Sequence, residues 1–267
     1  MAASSVAAAA RDDEEVLLCA GPFGRDRVVV EVLDGERAFP PEVVAGASSH
    51  WEELLSMKPH MFDGEVWTVA GARGEGDGAE RRCTLSLQRS SYRYAMYTHF
   101  TPRWRELRRA ERCNVIGVAA LTFTREGLLV VGRRAGRLAM LGGYWSYMPA
   151  GVVDEPDVWA VLGKELEEEL GLNMKAVEDA WCLGLLDCGD EQGHCLNLVY
   201  VFHLGLSADE VRAAYGGAVD NGEHTEIRCL QPGDLDGLSP VTEATRRALR
   251  SFQRLSPARV CADTLEK

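Results

Sequence analysis

MPAGVVDEPDVWAVLGKELEEELGL runs from Met148 to Leu172, and its last nine residues crowd Glu165, Glu167, Glu168 and Glu169 around Leu166. Val158, Leu162, Leu166 and Leu170 recur at every fourth position, the spacing of a buried helical stripe. The spacing predicts a helix over Asp157–Leu170, closed by Gly171 as its C-cap. On that helix Glu165, Glu168 and Glu169 stand at i, i+3 and i+4 and share a second face. Like charges one turn apart weaken a helix. A solvated acidic face would carry compensating basic residues, and only Lys164 supplies positive charge here. Three carboxylates on one rigid face are also hard oxygen ligands for a divalent cation, which neutralises phosphate oxygens and polarises a water. On spacing alone both readings stand.

The chain has 267 residues, enough for one large domain or two small ones. Its formal net charge of -12 argues against non-specific nucleic-acid binding, which needs a basic face. An anionic small substrate stays open, because a bound metal reverses the local sign. The eight cysteines contain no C-x-x-C pair, against a zinc ribbon or a disulfide framework, and fit a reducing compartment. No apolar run is long enough to span a bilayer, and MAASSVAAAARDDEEV lacks a hydrophobic signal core. The expectation is a cytoplasmic protein, with the nucleus open, and no membrane or nucleic-acid partner. Nothing bears on oligomeric state.

Residues 1–14 are small, then acidic, and are expected to be a disordered N-terminus. An N-terminal α+β subdomain is expected over 15–110, with strands in EVLLCAGPFG and RVVVEVL and a helix in PPEVVAGASSHWEELLSMKP. GEVWTVAGARGEGDGAERRCTLSLQRSSYRYAMYTHF reads as two strands around a Gly-rich loop, and PRWRELRRAER as a charged helix or linker at the boundary. The second domain is set at 111–256. VIGVAALTF-TREG-LLVVGRR is a hairpin, AWCLGLLDCGDEQGHCLNLVYVFHLGL a second one, and Ser207 with Glu210 a capping box. TEIRCLQPGDL is a last strand, PVTEATRRALRSFQRL a closing helix, and 257–267 a C-terminal tail. The class is α/β with a mixed sheet.

KELEEELGL after PAGVVD resembles the Nudix box, G-x5-E-x7-R-E-U-x-E-E-x-G-U, with Lys164 in the arginine position. The resemblance implies the Nudix fold, a mixed β-sheet sandwiched by helices, and a Mg²⁺- or Mn²⁺-dependent hydrolase. Glu165, Glu168 and Glu169 would then be the catalytic and metal-binding carboxylates, and the backbone carbonyl of Ala150 a further metal ligand. The first half of the box departs from the pattern. Counted from Gly151, Asp157 takes the first glutamate position and one residue is missing before Lys164. Counted from the C-terminal half, Ala150 and Pro156 take the glycine and glutamate positions. Gly163, costly inside a helix, is expected to mark where the irregularity is absorbed.

HWEELLSMKPHMFDGEVWTV followed by SSYRYAMYTHF is similar to a eukaryotic Nudix subgroup that hydrolyses UDP-glucose and UDP-galactose. That subgroup carries W-E…P-x-x-F-D and then L-x-S-Y-R…G-T-N, with Tyr97 and His99 here in the glycine and asparagine positions. It implies a nucleotide-sugar diphosphatase releasing UMP and a sugar 1-phosphate. Tyr92, like Tyr94 and Tyr97, offers a flat face for a base or, more often for alternating aromatics, packs the core or edge, and Arg93 offers a fork for a phosphate. Arg133 and Arg134 end a strand near the box and could meet the diphosphate; Glu223 falls where the subgroup has an E-S-T segment. Tyr92, Arg93, Arg133, Arg134 and Glu223 are the candidate substrate-binding residues. Tyr144, Trp145 and Tyr147 roof the substrate or, more often for such aromatics, pack the sheet. No histidine is assigned to a metal. The alternatives are another nucleoside-diphosphate substrate (ADP-ribose, a dinucleotide or a cap-like molecule) and a Nudix module that binds nucleotides with little turnover.

Overall fold

Apolar residues alternating or running unbroken along short β-rich segments build two sheets. In the computed structural model, residues 17–265 are described except 139, 220 and 221, as are side chains other than those of 79 and 256–265. The N-terminus expected to be disordered over 1–14 lies outside the described residues.

The larger sheet takes β1 (Leu17–Gly24), β9 (Val177–Asp187), β10 (Leu196–Leu204), β5 (Ile116–Phe123), β6 (Leu129–Arg134) and β11 (His224–Leu230) in that spatial order. β10 runs parallel to β5, and its other partner β9 runs antiparallel, so the sheet is mixed. β5 is buried at every position, as a central strand covered on both faces must be. β5 and β6 share one pair, Phe123 with Leu129, and then separate. β7 (Trp145–Tyr147) lines up beside β6, and β8 (Ala150–Val152) beside β5. The Met148-Pro149 link between them is thereby set in the gap.

Helix α3 (Val158–Leu170) covers one face, placing Val158, Val161, Leu162, Leu166 and Leu170 among Ile116, Val118 and Leu198. Helix α5 (Glu243–Leu265) covers the other, with Ala244, Ala248 and Leu249 against Leu121, Val199 and Val201. It continues past the end expected at 255, so the tail is helical as far as Leu265. Short α4 (Ala208–Tyr215) carries the expected Ser207–Glu210 capping box. The expected α/β class, a mixed sheet between helices, is what the chain adopts.

The N-terminal part is a three-stranded sheet, β2 (Val28–Glu36), β4 (Arg82–Ser91) and β3 (Glu65–Glu75) in that order, with helix α1 (Pro41–Met57). It joins the larger sheet through a Thr68–Val115 bridge and by packing Cys83, Leu85 and Leu87 with Cys19 and Phe23. One expectation fails here. SSYRYAMYTHF does not continue β4 as a strand; helix α2 (Tyr92–His99) begins at Tyr92. Asp63 Oδ1 accepts the Arg93 N–H at 2.8 Å, and the Thr98 hydroxyl donates to the Tyr94 carbonyl at 2.7 Å. Tyr94 stacks on Phe39 with centroids 4.2 Å apart, and Tyr92 meets the edge of Trp51. Packing overrides the strand preference of the tyrosines. PRWRELRRAER is a linker with two single 3-10 turns, Pro102–Arg105 and Arg109–Glu111. No helix among the described residues is long and apolar enough to cross a membrane.

Candidate active site

Asp157 starts α3: its Oδ1 accepts from Trp159 N at 3.1 Å and Ala160 N at 3.0 Å, an N-cap satisfying two free donors. Gly171 ends it at φ 66°, the left-handed conformation that suits glycine at this cap. Between them the helix is unbroken, so Gly163 does not absorb the irregularity of the box. Gly163 answers to space instead, since a Cβ there would lie 3.2 Å from Met174 Cγ. Asp157 itself serves as the cap.

The carboxylate face meets the β7–β8 link. Glu169 is buried, and the Ala150 N–H donates to its Oε2 at 3.2 Å. The Glu165 carboxylate fills the space where a Gly151 Cβ would stand. Ala150 and Gly151 therefore both face the glutamates, one through its amide and one through its missing side chain.

Burial, then the charge of Glu168, pushes the Glu165 carboxyl up to about 7; Glu223 adds to this and Lys164 opposes it. Glu169 is raised well above the carboxylate range by burial and by Glu165, again with Glu223 adding and with the Ala150 amide and Arg134 opposing. Glu168 and Glu223 thus act on Glu165, and Glu165 and Glu223 on Glu169. Lys164 reaches Asp154 at 3.5 Å on the exposed side. Among the described residues, no three or more His, Cys, Asp or Glu side chains are drawn together tightly enough to hold a metal ion as they stand.

Arg134 belongs to this group through its effect on Glu169, and its Nε donates to the Met140 carbonyl at 3.3 Å. Arg133, the preceding residue, faces outward and donates to the Gly143 carbonyl at 3.4 Å. Tyr92 and Arg93 lie on α2 in the N-terminal part. The anion beside Arg93 is Asp63, 3.4 Å from its Nε. Trp145 and Tyr147 are buried in the core beneath α5 and do not roof a site. Two neighbours of the glutamates escaped the sequence reading, Asp154 and His224. His224 is buried, and burial with Arg134 pushes it down to about 4. Its position beside Glu223 was the one signal that could have found it.

The NUDIX domain family matches residues 114–252, just over half of the chain. No curated protein matches. Among solved structures, the MutT protein of Methanosarcina mazei Go1 is similar at 23% identity, covering 53% of this chain and 94% of its own, with a TM-score of 0.41. A MutT Nudix hydrolase of Burkholderia pseudomallei is similar at 28% identity, covering 51% and 96%, with a TM-score of 0.40. The Nudix domain of Shewanella oneidensis NrtR, solved with ADP ribose, is 13% identical over 52% and 86%, with a TM-score of 0.41.

Proposed function

The chain belongs to the Nudix family, and from that premise we propose that it is a Mg²⁺- or Mn²⁺-dependent hydrolase of a nucleotide sugar. UDP-glucose or UDP-galactose would give UMP and a sugar 1-phosphate. The observation that carries the hydrolytic reading is that Glu169 takes the Ala150 N–H and Glu165 fills the space beside Gly151, two carboxylates of one helix face meeting one turn.

The donor set fits a hard divalent cation. All its ligands are oxygens, and a cation would offset both the burial and the neighbouring glutamates that raise Glu165 and Glu169. We assign Glu165, Glu168 and Glu169, with the Ala150 carbonyl, to hold it. Such a cation, when bound, neutralises phosphate oxygens and makes a bound water more acidic. Glu223 is assigned to take the proton of the attacking water, supported by its charge already acting on Glu165 and Glu169. Arg134, with Arg133 further out, would meet the diphosphate. Tyr92 and Arg93 are assigned to the nucleoside end on the resemblance of the N-terminal half. A phosphate there would have to displace Asp63 from Arg93.

The shortened box and the absence of a tight ligand cluster among the described residues favour a second reading, a module that binds nucleotides with little turnover. A panel of UDP-glucose, UDP-galactose, ADP-ribose and a dinucleotide with Mg²⁺ separates the possibilities. UMP release from the UDP-sugars supports the proposal, and faster turnover of ADP-ribose removes the sugar assignment. Tight binding without any monophosphate product supports the module.

A further inference from the structure

His224 opens β11 with a fully engaged backbone: it pairs with Arg134, and its carbonyl accepts from the Tyr215 hydroxyl at 2.9 Å. The ring is not engaged. His224 is 3% exposed, yet neither Nδ1 nor Nε2 has a hydrogen-bond partner. A buried polar atom without a partner is costly to the fold. Among the described residues, His224 is the only one with two such side-chain atoms.

Space has been made for this ring. At Gly132, on the neighbouring strand β6, any side chain would run into His224 Cδ2 and Met148 Sδ. The Cδ2 side of the ring therefore lies against the sheet.

The surroundings are those of the carboxylate site. Glu223 precedes His224 in sequence, and Met148 stands two residues before Ala150. The Arg134 charge is felt by both His224 and Glu169. Four glutamates surround this site, and Lys164 is paired with Asp154 on the exposed side. A diphosphate entering beside Arg134 needs N–H donors, and an uncharged imidazole supplies one without further ions to desolvate.

We propose that His224 is a diphosphate-binding residue, donating a ring N–H to a phosphate oxygen beside Arg134. The proposal rests on reading this site as a diphosphate hydrolase. It does not depend on the nucleotide or the sugar.

The test uses the full chain, Mg²⁺ and methylenediphosphonate, whose P–C–P bridge resists hydrolysis. Long-range ¹H–¹⁵N spectra follow the His224 ring, and calorimetry follows affinity in the wild type and in His224→Phe and His224→Gln. The expected result is a shifted His224 ring nitrogen on saturation. His224→Phe should bind at least about tenfold more weakly with an unchanged or higher Tm, and His224→Gln should recover part of the loss. Ring signals that stay in place at saturation, or a His224→Phe affinity within about twofold of wild type, overturn the proposal. Should His224→Phe fail to fold, the wild-type spectra decide by the same criterion. A shifted ring in a protein that cleaves no UDP-sugar removes the nucleotide-sugar reading and keeps His224. Unmoved signals in a protein that does cleave UDP-glucose remove His224 alone.

Discussion

Glu165 lies in the space that a side chain on Gly151 would occupy. The obstacle is the end of a flexible side chain, so a methyl group at 151 would displace the carboxylate and leave the fold in place. Gly151→Ala should therefore cost about 1 kcal/mol or less in urea unfolding. It should lower kcat/KM by at least about tenfold, because the displaced group belongs to the proposed reaction centre. Equal activity in the two proteins would separate Gly151 from function.

Glu169 is a buried carboxylate pushed far up by burial and by Glu165. Glu169→Gln keeps the shape and removes the charge. Without metal at neutral pH the variant should be more stable than wild type by roughly 1 kcal/mol, since folding no longer has to bury a carboxyl that the unfolded chain would ionise. The rise in Tm that Mg²⁺ gives the wild type should be reduced or absent. Thermal unfolding with EDTA and with Mg²⁺ measures both effects.

Glu165 gives the metal-free protein a pH dependence. Its folded value, about 7, lies above the ordinary 4.5, so the folded chain binds the proton more tightly. Its contribution is present below 4.5 and is lost as pH rises through 7. Glu165→Gln should remove that decline from the unfolding midpoints, measured in EDTA.

His99 contributes with the opposite sign. Its Nε2 accepts the Asn114 N–H at 2.9 Å, and its Nδ1 bonds the Gly193 carbonyl at 2.8 Å, which fixes an uncharged ring between the two parts of the chain. Burial pushes it down to about 4 from 6.5, so the unfolded chain takes up the proton first. Its stabilising contribution is present above 6.5 and disappears as pH falls toward 4, a loss of roughly 3 kcal/mol. Urea midpoints of wild type and His99→Asn between pH 7 and 4 should converge toward the acid end. Parallel curves would contradict this assignment.

Much of this was legible where one pattern dominated. The four-residue stripe from Val158 to Leu170, with Asp157 before it and Gly171 after it, specified α3 within a residue at each end. The alternating tyrosines after Ser91 misled because helix α2 is set by distant groups: Asp63 at its first turn and Phe39 and Trp51 against its rings. Local propensity carries no trace of such partners. Box spacing alone could not decide between Ala150 and Gly151, because both face the glutamates by different backbone features. His224 was passed over because no metal-ligand spacing links it to another histidine. Its significance lies in ring atoms left without partners, which only packing reveals.

The Asp63–Arg93 contact supplies a further expectation. Asp63→Ala removes the acceptor of the Arg93 N–H and should lower stability by about 1 kcal/mol, as loss of a helix cap does. It also frees the guanidinium. If Arg93 meets the nucleotide, the variant should show a lower KM for UDP-glucose at nearly unchanged kcat. An unchanged KM would take Arg93 out of the substrate site.

The carboxylate face of α3 is proposed to perform diphosphate hydrolysis. Its most direct test is release of UMP and glucose 1-phosphate from UDP-glucose with Mg²⁺, compared among wild type, Glu168→Gln and Glu169→Gln. Wild type should turn over measurably, and each variant should lose at least about a hundredfold. Turnover that both substitutions leave unchanged would contradict it.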